Sequence, residues 1–170
     1  MIIEPVEHIP GLYLVQQVYN LQLLDQFLDE NIETVHHRSL PMQEHWLRKN
    51  YKLFPAGSTW HVLQNNVDWT AVNSMGWYKY SSLDTAYWID LPGFSTGMHQ
   101  DNAQVQASLQ VYLDTADNMG TQFQHNNEVF TVPYQKNTGY MMINCGQIHG
   151  YPGPAPKHRY STYTWLKPKS

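Results

Sequence analysis

From Trp77 onward the chain consists of short runs rich in β-branched and aromatic residues, separated by Gly, Pro, Asn and Asp. Such a succession is typical of an antiparallel sandwich or barrel. In residues 104–113, apolar Val105 and Leu109 belong to one alternating set and polar Gln106 and Gln110 to the other. This period-two pattern predicts a half-buried strand. Further strands are predicted at residues 86–90, 121–123, 129–132, 140–144 and 160–166.

The N-terminal part of the chain adds one more strand and helical support. Residues 11–19 are rich in β-formers, and Asn20 can cap a helix whose apolar residues recur at helical spacing up to Leu28. A second, shorter helix is predicted around residues 41–52, with Trp46 and Leu47 on its buried side. The predicted fold class is therefore mainly β, a jelly roll with one or two supporting N-terminal helices.

Composition limits the classes of function. The chain has 170 residues, which predicts a single domain over residues 1–170, and its formal net charge is −4 with only 10 Lys plus Arg. This balance argues against a nucleic-acid partner, because such binding depends on clustered cations. A single cysteine, Cys145, permits no internal disulfide, and no signal peptide or membrane-spanning run is recognisable. We therefore expect a soluble, intracellular, cytoplasmic protein without a membrane partner.

One motif carries candidate chemistry. His99-Gln100-Asp101 is the only His-x-Asp or His-x-Glu in a chain with nine histidines. Side chains two apart on an extended segment point the same way, so His99 and Asp101 can converge on one metal ion. His149, which follows the predicted strand at residues 140–144, can supply a third ligand. Two histidines and one carboxylate with open positions are the mark of non-haem iron(II) oxygenases. We call His99, Asp101 and His149 the candidate triad.

The context of the motif makes it more specific. About 0.4 His-x-Asp pairs are expected by chance in a chain of this composition, so the pair alone is a weak signal. Arg159 lies ten residues after His149, however, and Ser161 follows two residues later. A histidine followed by arginine ten residues later, and by serine two residues after that, is expected by chance on the order of 0.01 times in a chain of this composition. The remaining histidines, including the adjacent His36 and His37, have no comparable context.

Residues 87–165 resemble the 2-oxoglutarate and iron(II)-dependent oxygenase superfamily, and its small prolyl-4-hydroxylase-like branch most closely. The resemblance includes the run VQASLQVYLD, followed by GTQF, and the run GYMMINCGQIHGYPGPAPKHRYSTYTW. It implies a double-stranded β-helix core with iron at its open end. It also implies an enzyme that uses O2 to decarboxylate 2-oxoglutarate to succinate and CO2 and couples this to hydroxylation of a substrate.

The resemblance also implies roles for individual residues. The candidate triad would hold Fe(II), Arg159 would pair with the distal carboxylate of 2-oxoglutarate, and Ser161 would add a hydroxyl to the same group. A planar guanidinium suits a carboxylate, and residues two apart on a strand share a face. Tyr87, Tyr112 and Thr121 could contribute further hydroxyls to the cosubstrate pocket.

The primary substrate stays open between a small molecule and a peptidyl side chain such as proline. Several prolyl hydroxylases place lysine where Arg159 stands, and others shift the arginine by one residue. An oxidative nucleic-acid demethylase is a second option, but that branch typically carries asparagine and arginine where this chain has Ser161 and Trp165. A non-catalytic jelly-roll binding module is the third, because this architecture also hosts lectins and capsid proteins.

Overall fold

The computed structural model describes residues 1–30 and 47–169. Strands predominate in this part of the chain, and the helices are short. The strands are β1 (Ile2–Pro5), β2 (Leu12–Gln16), β3 (Arg48–Tyr51), β4 (Trp77–Tyr78), β5 (Thr85–Asp90), β6 (Ala107–Tyr112), β7 (Gln122–His125), β8 (Glu128–Thr131), β9 (Thr138–Ile143), β10 (Ile148–Gly150) and β11 (Arg159–Pro168). The helices are α1 (Leu21–Leu28), α2 (Thr59–Asn65) and α3 (Thr70–Ser74), with a 3₁₀ turn at Ser82–Asp84.

Two antiparallel sheets form the body of the fold. The larger sheet has the order β1-β2-β9-β6-β11-β5-β3, with β4 paired to the end of β11, and the smaller has the order β10-β7-β8. Aromatic and apolar residues of both sheets, among them Tyr112, Phe123 and Tyr140, form a buried cluster between them. The predicted mainly β, jelly-roll fold is confirmed.

Helices cover the outer face of the larger sheet. In α1 the Asn20 side chain accepts a hydrogen bond from the Leu23 N–H at 3.1 Å, and Leu24 and Phe27 are fully buried, as the helical spacing predicted. Trp60 of α2 packs in the same core cluster. Neither α2 nor α3 was predicted, since two helices of seven and five residues are too short to show a clear period. No helix in the described ranges is long and apolar enough to span a membrane.

The predicted second helix around residues 41–52 is wrong at its C-terminal end. Residues 48–51 form β3, which pairs with β5 in antiparallel register. Tertiary pairing, including Arg48 directly opposite Asp90, decides the local structure there. The rest of that segment, with Trp46, and the histidines His36, His37 and His45 lie outside the described residues.

Strand β6 exists as predicted, but the expectation of one exposed face is wrong. All six of its residues are buried. The polar set, Ser108 and Gln110, and Tyr112 with it, lies on the face that the smaller sheet covers. Period-two alternation identifies two faces but does not show that the polar face meets water. In this chain the polar face of β6 forms part of the interior of the barrel.

Gly139 allows β9 to lie close to β6 at the centre of the barrel. A Cβ atom at Gly139 would lie 1.9 Å from the carbonyl oxygen of Gln110, a contact that only backbone movement can relieve. We expect Gly139→Ala to lower the free energy of unfolding by about 1–3 kcal/mol or more, measured by urea denaturation. Gly97→Ala is the matched control, since its Cβ would meet nothing within 4 Å. Equal midpoints for the two variants would contradict the expected clash.

Candidate active site

Backbone pairing fixes the two histidines of the candidate triad. The His99 N–H donates to the His149 carbonyl at 2.9 Å, and the His149 N–H donates to the His99 carbonyl at 2.8 Å. Strand β10, which carries His149, also pairs with β7, so this bridge extends the smaller sheet to His99. Asp101 follows two residues later and reaches the same point, as extended spacing predicted.

The three side chains form one compact group. The Asp101 Oδ1 atom lies 3.5 Å from Nε2 of His99 and 3.6 Å from Nε2 of His149. One potential ligand atom from each residue lies within 4.8 Å of the other two. The His149 side chain is 8% exposed and that of His99 48% exposed, so the group is closed on one side and open on the other.

Hydrogen bonds orient both imidazole rings. Nδ1 of His99 lies 2.8 Å from the Gly97 carbonyl, and Nδ1 of His149 lies 3.4 Å from the Gln147 carbonyl. A carbonyl can only accept, so in the neutral rings Nδ1 carries the proton and Nε2 presents its lone pair. Burial lowers the pKa of His149, and His99 lowers it further, whereas Asp101 and the Gln147 carbonyl act in the opposite direction. Burial therefore favours the neutral imidazole that a metal requires.

Asp101 supplies an independent test of whether a metal fits. Its Oδ2 atom is buried and has no hydrogen-bond partner among the described residues. A buried carboxylate oxygen without a partner is costly, and a bound cation would remove that cost. The donor set of two imidazole nitrogens and a carboxylate suits a divalent transition metal with open coordination positions. The residues present thus fit a metal centre.

A cavity of about 110 Å³ connects this group with the interior of the barrel. It joins the candidate triad at one end to two arginines, with aromatic and polar residues between them. The lining residues are Arg48, Trp88, Phe94, Thr96, His99, Asp101, Gln110, Thr121, Tyr140, His149, Gly150, Tyr151, Arg159 and Tyr163. Arg159 therefore shares a cavity with the candidate triad, as the spacing and the resemblance led us to expect.

Arg159 is buried, but it is not without partners. Its Nε donates to the Met119 carbonyl at 2.8 Å, and its Nη1 donates to Oδ2 of Asp90 at 2.7 Å. These bonds use two of the five N–H groups that a guanidinium carries. The ring centroid of Tyr151 lies 4.1 Å from the guanidinium carbon. Among the described residues, Arg159 thus has the Met119 carbonyl and the Asp90 carboxylate as hydrogen-bond partners and lines the cavity.

Arg48 and Asp90 were not predicted from the sequence as site residues. Arg48 donates from Nε to Oδ1 of Asp90 at 2.5 Å and from Nη2 to Oδ2 at 3.1 Å. Its guanidinium carbon lies 3.9 Å from the ring centroid of Trp88. No local motif marks this pair, because its partners are 42 residues apart and meet only through the pairing of β3 with β5. The one available signal was the acidic residue at the end of the predicted strand 86–90, since a buried arginine such as Arg159 needs an acidic partner.

The structure brings Ser161 and Thr121 to the barrel interior through a polar network. Gln110 Nε2 donates to Ser161 Oγ at 3.0 Å, and the Tyr140 hydroxyl donates to Gln110 Oε1 at 2.7 Å. The Tyr112 hydroxyl donates to Thr121 Oγ1 at 2.9 Å and accepts from the Thr121 N–H at 2.8 Å. Thr121 and Gln110 line the cavity, whereas Tyr112 and Ser161 lie directly behind them. Burial raises the pKa of Tyr112 and Tyr140, so both stay neutral donors.

The structure does not place Tyr87 in the cavity with the candidate triad, contrary to the prediction. Tyr87 packs against Phe27 of α1, with ring centroids 5.1 Å apart, in the core on the opposite face of the larger sheet. Its neighbour Trp88 points into the site cavity instead. The error is one of strand face, since a shift of one residue reverses the side of the sheet. Tyr87 lines a larger cavity, about 580 Å³, which does not include the candidate triad.

Comparison with known proteins gives a likeness of structure without a match of sequence. No protein-family model matches the chain, and no curated protein matches it significantly. A prolyl-4-hydroxylase from Pseudomonas putida superposes with a TM-score of 0.66 at 13% identity, covering 94% of each chain. HygX from Streptomyces hygroscopicus, with nickel and 2-oxoglutarate bound, superposes with a TM-score of 0.65 at 10% identity, covering 93% of this chain and 83% of that one.

A third structure is a prolyl hydroxylase from Trichoplax adhaerens in complex with a peptide fragment of hypoxia inducible factor. It gives a TM-score of 0.66 at 13% identity and covers 92% of this chain and 83% of that one. At such identities the likeness establishes the fold: the chain has the architecture of these oxygenases. The assignment of the candidate triad and the arginines to a site rests on the distances and contacts in this structure, and not on these similarities.

Proposed function

We propose that this chain is a single-domain, non-haem iron(II) dioxygenase that uses 2-oxoglutarate as cosubstrate. The observation that carries the proposal is the shared cavity. Its lining includes two histidines whose rings are oriented by hydrogen bonds, a carboxylate beside them and a buried arginine. The chemistry of the donors supports it more directly than the fold does, because one fold hosts many functions.

In this proposal His99, Asp101 and His149 hold Fe(II). When bound, the metal supplies the activation of O2 that organic side chains cannot provide. The role of the chain is to fix the ligands. The Gly97 and Gln147 carbonyls hold the two rings in the tautomer that presents Nε2, and Oδ2 of Asp101, which has no hydrogen-bond partner in residues 1–30 and 47–169, is available to the cation.

Arg159 is the residue that would bind the distal carboxylate of 2-oxoglutarate. Its side chain is 3% exposed, so a hydrogen bond from it to an anion is little weakened by water. Gln110 and Thr121 would present amide and hydroxyl groups along the cavity wall, and Ser161 would hold the Gln110 amide from behind through the hydrogen bond that it accepts.

The substrate is proposed to approach from the side of His99, the exposed member of the triad. One of the similar structures holds hygromycin B and another holds a peptide. Both observations suit a small molecule or a peptidyl side chain such as proline as the substrate, with hydroxylation as the reaction. The net charge of −4 disfavours nucleic acid. The partnerless Asp101 oxygen favours a metal-loaded enzyme over a non-catalytic jelly-roll module.

A turnover assay tests this proposal. We expect the iron(II)-loaded protein to release succinate and CO2 from 2-oxoglutarate in air, slowly alone and faster with a substrate from a panel of prolyl peptides and small polar molecules. A chelator should stop the release, and added iron(II) should restore it, because the ligands remain in place. A folded, iron-loaded protein that consumes no 2-oxoglutarate with any panel member would contradict the proposal.

A further inference from the structure

Asp90 lies between two arginines because of its place in the sheet. Strand β5 runs between β3 and β11, and Asp90 stands directly opposite Arg48 on one side and Arg159 on the other. The Asp90 side chain is 1% exposed, and both guanidiniums bond to it. Two positive charges and one negative charge leave this group with a net charge of +1 at the end of the site cavity.

The two arginines hold Asp90 unequally. Arg48 makes two hydrogen bonds, one to each carboxylate oxygen, whereas Arg159 makes one bond, from Nη1 to Oδ2. Arg48 is itself fixed, because its guanidinium carbon stacks 3.9 Å from the centroid of Trp88 and 4.5 Å from that of Phe94. If the single bond to Arg159 breaks, Asp90 keeps a bidentate partner.

We propose that Arg48 is a positioning residue that holds Asp90 and so releases Arg159 for the distal carboxylate of the cosubstrate. The inference rests on the proposed function. Without the cosubstrate, Asp90 serves as the counterion of Arg159. When the cosubstrate binds, its carboxylate replaces Asp90 on Arg159, and Arg48 retains Asp90.

The charges support this exchange. With the ligand carboxylate added, two guanidiniums face two carboxylates, and the net charge of the buried group falls from +1 to zero. Without Arg48, one guanidinium would face two carboxylates, which leaves a net negative charge in a buried place. Arg48 therefore affects cosubstrate affinity without having to contact the cosubstrate.

The experiment measures anaerobic binding of 2-oxoglutarate by titration calorimetry, with saturating iron(II), for the wild type and five variants. We expect Arg48→Gln to weaken binding about tenfold or more, since a charge-assisted partner of Asp90 is lost. Asp90→Asn should bind as tightly as the wild type or more tightly, because the competing carboxylate is gone. The double variant, Arg48→Gln with Asp90→Asn, should have an affinity within about threefold of that of Asp90→Asn. Once residue 90 carries no charge, an arginine at position 48 has no carboxylate to hold. Iron(II) affinity should stay unchanged throughout.

Lys52→Gln is the matched control. Lys52 also stacks on an indole, with Nζ 3.8 Å from the Trp165 centroid, so its loss removes a nearby positive charge and a cation–π contact. We expect its affinity to equal that of the wild type. Arg48→Lys provides a second test in case Asp90→Asn does not fold. It keeps the positive charge but not the bidentate fork, so its affinity for 2-oxoglutarate should fall less than that of Arg48→Gln.

The outcomes separate this inference from the proposed function. If the wild type binds iron(II) but not 2-oxoglutarate, both fail. If the wild type binds 2-oxoglutarate and Arg48→Gln binds it equally well, only the role of Arg48 is overturned. A double variant as weak as Arg48→Gln would mean that Arg48 contacts the cosubstrate itself, and equal losses for Arg48→Lys and Arg48→Gln would refute the charge argument.

Discussion

His149→Ala is expected to abolish tight iron(II) binding and, with it, all metal-dependent turnover. The substitution removes one of three ligand atoms from a group whose members lie within 4.8 Å of one another. Loss of a residue that merely orients a ligand typically costs 10–100-fold in metal affinity. Loss of the ligand itself should therefore exceed about 100-fold. Calorimetric or spectroscopic titration with iron(II) under anaerobic conditions measures the change.

A matched histidine variant makes the test specific. His8 is exposed, makes an edge contact with Phe130 and does not line the site cavity, so His8→Ala should bind iron(II) as the wild type does. The His149 ring stacks on Phe123 at 5.3 Å, so circular dichroism must show that the variant is folded. A folded His149→Ala variant with undiminished iron(II) affinity would remove His149 from the metal centre.

Arg159→Ala is the second change with a large expected effect, and it should separate the cosubstrate from the metal. The variant loses the buried guanidinium that faces the cavity but keeps the candidate triad intact. Hydrogen bonds to charged groups contribute about 1.5–3 kcal/mol each, so affinity for 2-oxoglutarate should fall about 100-fold. Iron(II) affinity should not change. Parallel titrations with iron(II) and with 2-oxoglutarate measure both quantities.

The control for Arg159 is a cation on the same part of the chain. Lys157 is half exposed and pairs with Asp114 at 3.0 Å, so Lys157→Ala should bind 2-oxoglutarate normally. Thermal unfolding should accompany the titrations, because breaking a buried ion pair costs about 3–5 kcal/mol when a partner is left alone. Asp90 keeps Arg48, which limits that cost. Normal 2-oxoglutarate affinity in folded Arg159→Ala would contradict the role proposed for this arginine.

The spacing of the candidate triad could be recognised in the sequence because it depends on local geometry. His99 and Asp101 are two apart on an extended segment, and that spacing alone places both side chains on one side. His149 and Arg159 followed from their order and separation along the chain. The structure brings all four to one cavity. Their binding roles stay predictions.

The face of the sheet on which a strand residue lies could not be predicted from the sequence. Tyr87 was assigned to the pocket, but the β5 residue that lines the cavity is its neighbour Trp88. An aromatic strand residue gives no indication of its face when both faces are buried. The polar face of β6 was likewise expected in water, whereas Gln110 is 4% exposed. Only the position of the second sheet decides these cases.

Long-range pairing explains the remaining omissions. Arg48 was assigned to a helix on local pattern, yet it lies in a strand whose partner is 42 residues away. Side chains that meet across strands carry no mutual signal in a single sequence. For that reason the charge group of Arg48, Asp90 and Arg159 emerged only with the fold.

The central claim is that one cavity binds both iron(II) and 2-oxoglutarate. Anaerobic titration of the apoprotein with both tests it directly, through the weak visible charge-transfer band expected when a keto acid chelates iron(II). We expect the band to appear in the wild type and to be lost in His99→Ala. A folded wild-type protein that binds neither the metal nor the keto acid would refute the oxygenase proposal and favour a non-catalytic binding module.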